Sequence, residues 1–307
     1  MADDTEAWSV AWERAAVGSR GFYRTTAGNA ESTFATHVTD GDLVARRIAA
    51  LTVGPLTALL ERHRTVTVTD VGGGDGTLLA QLRTLLPRET AQRLTWRAVD
   101  VRPRPDRVAT SVEWHQGDVR LISPRIAPGP GLVVAHELLD DIPCDIVEID
   151  DRGARRLVLV DPITGAQELG PTLDDQRACG SRHVDGARLD AWCEQWWPRR
   201  EPAARVEVGV ARDEAWSAIA GLVTDGIALA VDYAHVASQR ADGLFDGGTL
   251  TGYRAGHLVS PIPDGSCNIT AHVALDACAP AVSAHSAELF PSGDGDDYWW
   301  LVQALAR

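Results

Sequence analysis

The sequence predicts an α/β protein built on a doubly wound, Rossmann-like sheet. Three observations carry this. A β-branched run at 66–71 (VTVTDV) leads straight into a glycine cluster and then a helical pattern. A second apolar run, 94–99, ends in an acid, Asp100. A third, 131–135 (GLVVA), ends in the polar cluster His136-Glu137-Leu138-Leu139-Asp140-Asp141. Strand patterns that alternate with helical ones point to parallel pairing with helical crossovers.

Taken in order, 8–16 has helical spacing of apolar residues and 18–28 is loop-like. Phe22 and Tyr23 in that loop are core anchors or a lid over a ligand. Residues 43–60 place Leu43, Ile48, Leu51, Leu56, Leu59 and Leu60 at helical intervals, with Gly54-Pro55 read as a break or restart. The first strand, 66–71, is followed by a helix over 77–86 that Pro87 stops. Strands follow at 94–99, 112–114 and 131–135. The runs 145–149 and 155–160 flank Asp151-Arg152-Gly153 as a hairpin. Residues 161–188 have weak patterning and read as an inserted loop region. A helix over 189–197 carries Trp192, Trp196 and Trp197, which pack rather than stack on a ligand at this spacing. Residues 205–208 are extended, 213–223 is a helix with Asp213 as its cap, and 226–231 is a strand ending at Asp232-Tyr233. Asn268 is placed to cap a helix from Ile269, with His272 one turn inside it. The last strand is 298–305.

The glycine cluster carries the chemistry. Gly72, Gly74 and Gly76 allow a tight turn and close approach to a ligand, and the next helix aims its N-terminal N–H groups the same way. A dinucleotide fingerprint wants a third glycine where Thr77 stands, which disfavours a dehydrogenase. Gly-x-Gly-x-Gly with Asp70 two residues ahead suits S-adenosylmethionine, a cation with an amino-acid tail and no pyrophosphate. On that reading Asp70 orients the amino group and Asp100 the ribose. Asp118, after the third strand, then meets the adenine. The bland alternatives are a glycine-rich turn without a ligand, an exposed strand-end acid and ordinary Gly-Asp turn chemistry.

His136, Glu137, Asp140 and Asp141 lie just past a strand end, beside the place expected for the cofactor's sulfonium. Carboxylates there orient a guanidinium or accept a proton. The competing role for Asp141 is helix capping.

Composition narrows the partners. The chain has 307 residues, 45% of them hydrophobic, and a formal net charge of −14 from 29 basic and 43 acidic residues. That argues against nucleic acid and is compatible with a basic substrate, although solubility alone accounts for it. Cys144, Cys179, Cys193, Cys267 and Cys278 are scattered and contain no CxxC pair, so reduced thiols in a cytoplasm are expected, with neither zinc nor a disulfide framework. The acidic start MADDTEAWSV resembles neither a signal nor a transit peptide, and no stretch is expected to span a membrane.

The order of motifs resembles the MidA-type S-adenosylmethionine-dependent methyltransferases, a family that includes the mitochondrial complex I assembly factor that methylates arginine. Four blocks carry the resemblance: Asp70-Val-Gly-Gly-Gly-Asp-Gly-Thr-Leu78; Ala135-His-Glu-Leu-Leu-Asp-Asp-Ile-Pro143; ALAVDY at 228–233; and Gly248-Thr-Leu-Thr-Gly-Tyr-Arg254 with His257, followed by Asn268-Ile-Thr-Ala-His-Val273. The last is the most specific, because nothing in a generic methyltransferase requires it. His136 stands for the family's Asn, Asn268 for its Asp and Ala234 for its Gly. In the N-terminal region only Phe34, Thr36, His37 and Val38 match.

The resemblance implies a class I methyltransferase fold with an N-terminal helical segment and an inserted hairpin and helical substrate region. Its expected parts are a helical cap at 1–62, a cofactor core at 63–160, an insertion at 161–202 and a core completion at 203–307, with a substrate loop at 246–273. It implies S-adenosylmethionine held by Asp70, Gly72, Gly74, Gly76, Asp100, Asp118 and His136. Catalysis falls to Glu137, Asp140 and His272, and substrate binding to Asp141, Asp232, Tyr253 and Arg254, with Asp232 supporting these groups from behind and Tyr253 and Arg254 closing over either the substrate or the cofactor's carboxylate. No metal is implied. The expected reaction is methyl transfer to an arginine guanidino nitrogen of a protein or peptide. A small-molecule or natural-product acceptor is one alternative. A cofactor-binding assembly or scaffold protein with little turnover is another, and a homodimer is left open.

Overall fold

The computed structural model describes residues 5–24, 41–175, 177–178, 184–293 and 298–306. Phe34, Thr36, His37, Val38 and Cys179 lie outside the described residues. The chain divides into two compact units, Met1–Phe34 with Asp140–Asp213 and Tyr233–Cys278, and Ala35–Leu139 with Glu214–Asp232 and Ala279–Arg307. These cuts fall elsewhere than the boundaries expected at 62, 160 and 202.

The first unit contains a short strand β1 (Glu6–Ala7) and helix α1 (Trp8–Val17). Its main sheet adds β6 (Asp145–Ile149), β7 (Arg155–Val160), β8 (Gln167–Thr172) and β9 (Arg205–Val208). Strand order is β1-β7-β6-β9, with β8 also on β7, and every pairing is antiparallel. Side chains alternate across this sheet. Val147, Leu157, Val206 and Val208 pack with Leu189, Trp192 and Cys193 of helix α6 (Gly186–Trp196). Ile146, Val158 and Val160 pack with Trp8 and Trp12 of α1. The unit also holds a small antiparallel sheet of β11 (Thr251–Arg254), β12 (His257–Val259) and β13 (Asn268–Thr270).

The second unit is built on β2 (Val66–Val71), β3 (Leu94–Asp100), β4 (Val112–Gln116), β5 (Gly129–His136), β10 (Val223–His235, belonging here through Asp232), β15 (Ser286–Pro291) and β16 (Tyr298–Ala306). Their order is β15-β16-β10-β5-β2-β3-β4. The run from β10 to β4 is parallel throughout, and β15 is antiparallel to β16. Strand β2 pairs on one side with β3 and on the other with β5, so the strand order reverses there. In open α/β sheets ligands bind at the carboxyl ends of the strands at such a reversal. Helix α2 (Leu43–Arg62) runs unbroken through Gly54-Pro55. Both residues are exposed, so water can meet the carbonyl that Pro55 leaves without a donor. This helix is long and apolar enough to cross a membrane by length and composition, against the expectation that no stretch is. The face bearing Ile48, Leu56, Leu59 and Leu60 is buried.

Other expectations are corrected as well. The helix expected at 213–223 is α7 (Val210–Ala220), with Asp213 inside it. The Asp213 carboxylate accepts from Trp192 Nε1 at 2.8 Å instead of capping. The loop region at 161–188 contains β8, whose first three residues are exposed on an edge and show no apolar alternation. The helix expected from Ile269 is instead β13 and then β14 (Val273–Ala274), with His272 between them. Ile269, Thr270 and Val273 are β-branched and favour strand. The Asn268 side-chain amide donates to Asp141 rather than capping a helix. Strand β15 was not anticipated.

Cys144, Cys193, Cys267 and Cys278 are buried, without disulfide partners. Burial pushes the thiols of Cys144 and Cys193 up to about 12.

Burial also raises the Asp145 carboxyl to about 6, against a hydrogen bond from Ser9 that lowers it. The native state therefore binds a proton that the unfolded chain has already lost between about pH 4 and 6, and stability falls as pH rises through that window. The Asp145→Asn variant removes this penalty. Its thermal midpoint, relative to the wild type, is expected to rise between pH 4 and 6 and level off above, a gain on the order of 3 kcal/mol. A constant difference across pH would refute the assignment.

Candidate active site

In the second unit, β2 ends at Val71 and the chain turns through the glycines before helix α3 (Thr77–Leu85). Gly72 and Gly76 sit at φ 79° and 83°, the left-handed region that side chains disfavour. A Cβ on Gly76 would meet Val108 Cγ2 at 2.7 Å, and one on Gly72 would meet Leu138 Cδ1 at 3.0 Å. Gly72 N–H is held by the Val99 carbonyl at 2.8 Å and Gly74 N–H by the Asp100 carboxylate at 2.7 Å. The turn is thus pinned to the end of β3.

Asp70 is 3% exposed. Burial raises its carboxyl to about 7, with the charges of Asp100 and Asp75 adding to the shift. A buried carboxyl so disposed favours a cationic partner, which relieves the cost of ionising it. Asp100 accepts from the backbone N–H of Gly74 and Arg102, each at 2.7 Å, and pairs with the Arg102 guanidinium. Asp118 caps the short helix α5 (Val119–Ile122) by accepting from Arg120 N–H at 2.9 Å and pairs with the Arg120 guanidinium at 2.6 Å. Each of these two acids therefore carries an arginine two residues on. The glycine turn, Asp70 and Asp100 are brought together, and Asp118 stands beyond the end of β4.

At the end of β5, His136 and Glu137 meet Tyr298 at the start of β16. The Tyr298 hydroxyl lies 2.5 Å from His136 Nε2 and 3.2 Å from Glu137 Oε1. Glu137 holds φ at 46°, a conformation uncommon for a side-chain-bearing residue, and its N–H donates to the Val231 carbonyl at 2.9 Å. Asp232, expected at the substrate, is fully buried. Its carboxylate accepts from the N–H groups of Leu138 and Leu139 at 3.2 and 2.7 Å. It positions the turn after Glu137.

The first unit gathers a second set. Arg212 of α7 is 1% exposed and donates to the carbonyls of Asp140, Ile142 and His272 at 3.2, 3.2 and 2.7 Å. Buried Glu207 of β9 accepts from the N–H of Thr249 and Leu250 and from the Thr249 hydroxyl at 2.7 Å. The same hydroxyl accepts from His272 N–H at 2.7 Å. Asp140 and His272 are thereby fixed to one framework. The His272 ring stacks on Tyr233 with centroids 6.0 Å apart. Burial, and then the charge of Asp140, raise the Tyr253 hydroxyl. Asp141 is no helix cap: it accepts from the Tyr23 hydroxyl and from Asn268 Nδ2 at 3.1 Å. Arg254 is exposed at the tip of the β11–β12 hairpin and does not join this set.

Tyr298, Arg212 and Glu207 were not found from sequence. Tyr298 opens an ordinary apolar strand, and a lone charge in a helix or short strand reads as solvated unless its burial is known. Phe22 is a core anchor at 2% exposure, while Tyr23 reaches Asp141.

Replacing Arg212 by Met removes its hydrogen bonds to the Ile142 and His272 carbonyls and leaves the Asp140 carbonyl with the Ala271 N–H, and is expected to cost roughly 3 kcal/mol. Arg212→Lys, which keeps the charge but not the fork, is expected to recover part of the loss in a thermal melt. Equal stability of Arg212→Met and wild type would rule out the staple.

Residues 49–291 match the family described as "putative S-adenosyl-L-methionine-dependent methyltransferase". No curated protein matches the chain. Two structures from Burkholderia thailandensis share its fold. One, described as a "likely methyl transferase" and bound to S-adenosylhomocysteine, has TM-score 0.70 and 19% identity, covering 98% of this chain and 88% of that one. The other, described as uncharacterized, has TM-score 0.66 and 18% identity, covering 98% and 87%. The strand order, the left-handed glycine turn and the buried Asp70 fit that cofactor. The chain belongs to the S-adenosyl-L-methionine-dependent methyltransferase family and is an enzyme of the class I fold with S-adenosylmethionine as its cofactor.

Proposed function

We propose that the methyl acceptor is a guanidino nitrogen of arginine in a protein or peptide. The observation that carries this is Asp140, whose main-chain carbonyl is held by the Arg212 framework that also holds His272 against Tyr233, and whose carboxylate charge acts on the Tyr253 hydroxyl. A carboxylate with aromatic faces nearby suits a planar cation through charge and ring quadrupole together. Net charge of −14 favours a basic partner by long-range attraction.

The bound cofactor supplies an electrophilic sulfonium methyl. On this reading Gly72, Gly74 and Gly76 admit its amino-acid portion and Asp70 pairs with its ammonium. Asp100 and Asp118 take the ribose and adenine, exchanging hydrogen bonds now held with Arg102 and Arg120. His136 lies at the same strand end. Glu137 accepts the proton that the acceptor loses, and Asp140 orients the guanidinium. Methyl transfer is an in-line displacement, so positioning supplies most of the rate enhancement.

Two experiments test this. Calorimetric titration with S-adenosylmethionine is expected to show affinity rising with pH through about 7. Below that pH Asp70 is protonated and offers the ammonium no charge; above it the pair forms. Asp70→Asn is expected to flatten the profile and weaken binding at pH 8 by roughly 10- to 100-fold. A wild-type profile flat across pH 7 would remove Asp70 from the cofactor's ammonium. Second, incubation with methyl-tritiated S-adenosylmethionine and arginine-bearing peptides, followed by acid hydrolysis, is expected to yield labelled methylarginine. Label confined to small molecules from a cell extract would assign a small-molecule acceptor instead. Cofactor binding without label in either would leave a scaffold.

A further inference from the structure

We propose that the acceptor peptide docks in extended form as a further strand on the open edge of β12, with its arginine laid across Leu258 toward Tyr253; this rests on the arginine acceptor proposed above. The small sheet runs β12-β11-β13, and among the described residues no strand pairs with the outer side of β12. An unpaired edge offers a row of N–H and C=O groups that an extended peptide can complete.

Register fixes the face on which the arginine lies. Directly opposite residues of an antiparallel pair share a face. Leu258 stands opposite Tyr253, and Tyr253 opposite Asn268, so the three form one row across the sheet. The row grades from buried to exposed: Asn268 is 3% exposed, Tyr253 is half-buried and Leu258 is 69% exposed. Its inner part meets acids. The Asn268 amide donates to Asp141 at 3.1 Å, and the charge of Asp140 acts on the Tyr253 hydroxyl. From solvent inward the row thus presents an apolar side chain, an aromatic ring and carboxylates. A side chain with an apolar stem and a planar cationic head matches that order, and arginine has both. Strands lie about 4.8 Å apart, so an arginine opposite Leu258 on the added strand has one strand to cross before it meets Tyr253. Arg254 and His257, the next pair along the hairpin, project from the other face, so the Arg254 charge does not stand in this row.

A second exposed apolar residue continues the edge. Pro261 and Ile262 follow β12, and a Cβ on Gly165 would meet Ile262 Cγ1 and the Pro261 carbonyl, each at 3.1 Å. The turn between β7 and β8 therefore lies against the chain that leaves β12. Ile163 on that turn is 75% exposed. A peptide that runs along β12 past Leu258 has Ile163 beyond it as an apolar contact for a residue flanking the arginine.

The probe is a short peptide of alternating threonine and valine with one central arginine, assayed with the full-length protein and methyl-tritiated S-adenosylmethionine. A parallel set carries one backbone N-methyl group at each position in turn, which removes a single N–H and keeps the side chain. KM is expected to rise at every second position only, because alternate residues of an added strand turn their N–H groups toward the edge. Leu258→Ser is expected to raise KM for the unmodified peptide roughly tenfold, with the thermal midpoint of the protein unchanged. An N-methyl series without a period of two, or a KM unmoved in Leu258→Ser, would overturn the docking and leave the arginine acceptor standing. So would label in arginine peptides of other composition with none in this strand-forming one. Methylarginine in no peptide at all would sink the arginine acceptor and the docking with it. A wild type that sediments as a dimer and becomes monomeric in Leu258→Ser would give the edge to a second copy of this chain instead.

Discussion

The pairing of β2 between β3 and β5 is the constraint on which the cofactor-binding unit depends. A central parallel strand has neighbours on both sides, and here those neighbours continue in opposite directions through the sheet. The crevice this leaves at the strand ends exists before any side chain is chosen. The glycine turn, Asp100 and His136-Glu137 gather because each follows a strand that ends at that edge. Chemistry is thus placed by backbone register, and residue type decides only what that edge can bind.

The second principle is the use of buried charge to fix loops. Asp232, Arg212 and Glu207 each lie inside the protein and hydrogen-bond main-chain groups of irregular segments. Irregular segments expose amides and carbonyls that no ladder satisfies, and a charged side chain meets several at once. The turn after Glu137, the carbonyls around Asp140 and the Gly248–Leu250 segment are all held in this way. Asp141 illustrates the same economy. Its two oxygens accept from Tyr23 and Asn268, and an amide at position 268 complements a carboxylate where a second acid would repel it.

The sequence makes the fold class and the cofactor half of the site legible because both rest on local patterns. Val66–Val71, the glycines after it and Asp100 announce themselves by composition and spacing within one βαβ unit. The hairpin at Asp145–Ile149 and Arg155–Val160 is equally local. What escapes is non-local. Tyr298 meets His136 across 162 positions and Arg212 meets Asp140 across 72, and neither separation leaves a periodic trace. Strand β8 hides because an exposed edge needs no apolar alternation. The region after Asn268 misleads because Asn before an apolar run reads as a cap, until its amide is seen to have gone to Asp141.

The interleaving of the chain has a consequence for how the protein is made. Each compact unit draws on three separated stretches, and the parallel sheet takes its last strands from the final thirty residues. Neither unit can close while its later pieces are still within the ribosome. Contacts of such long sequence separation are slow to form, and the incomplete sheet presents open edges in the meantime. A chain cut after Cys278 therefore lacks β15 and β16, two strands of the sheet that presents the cofactor site.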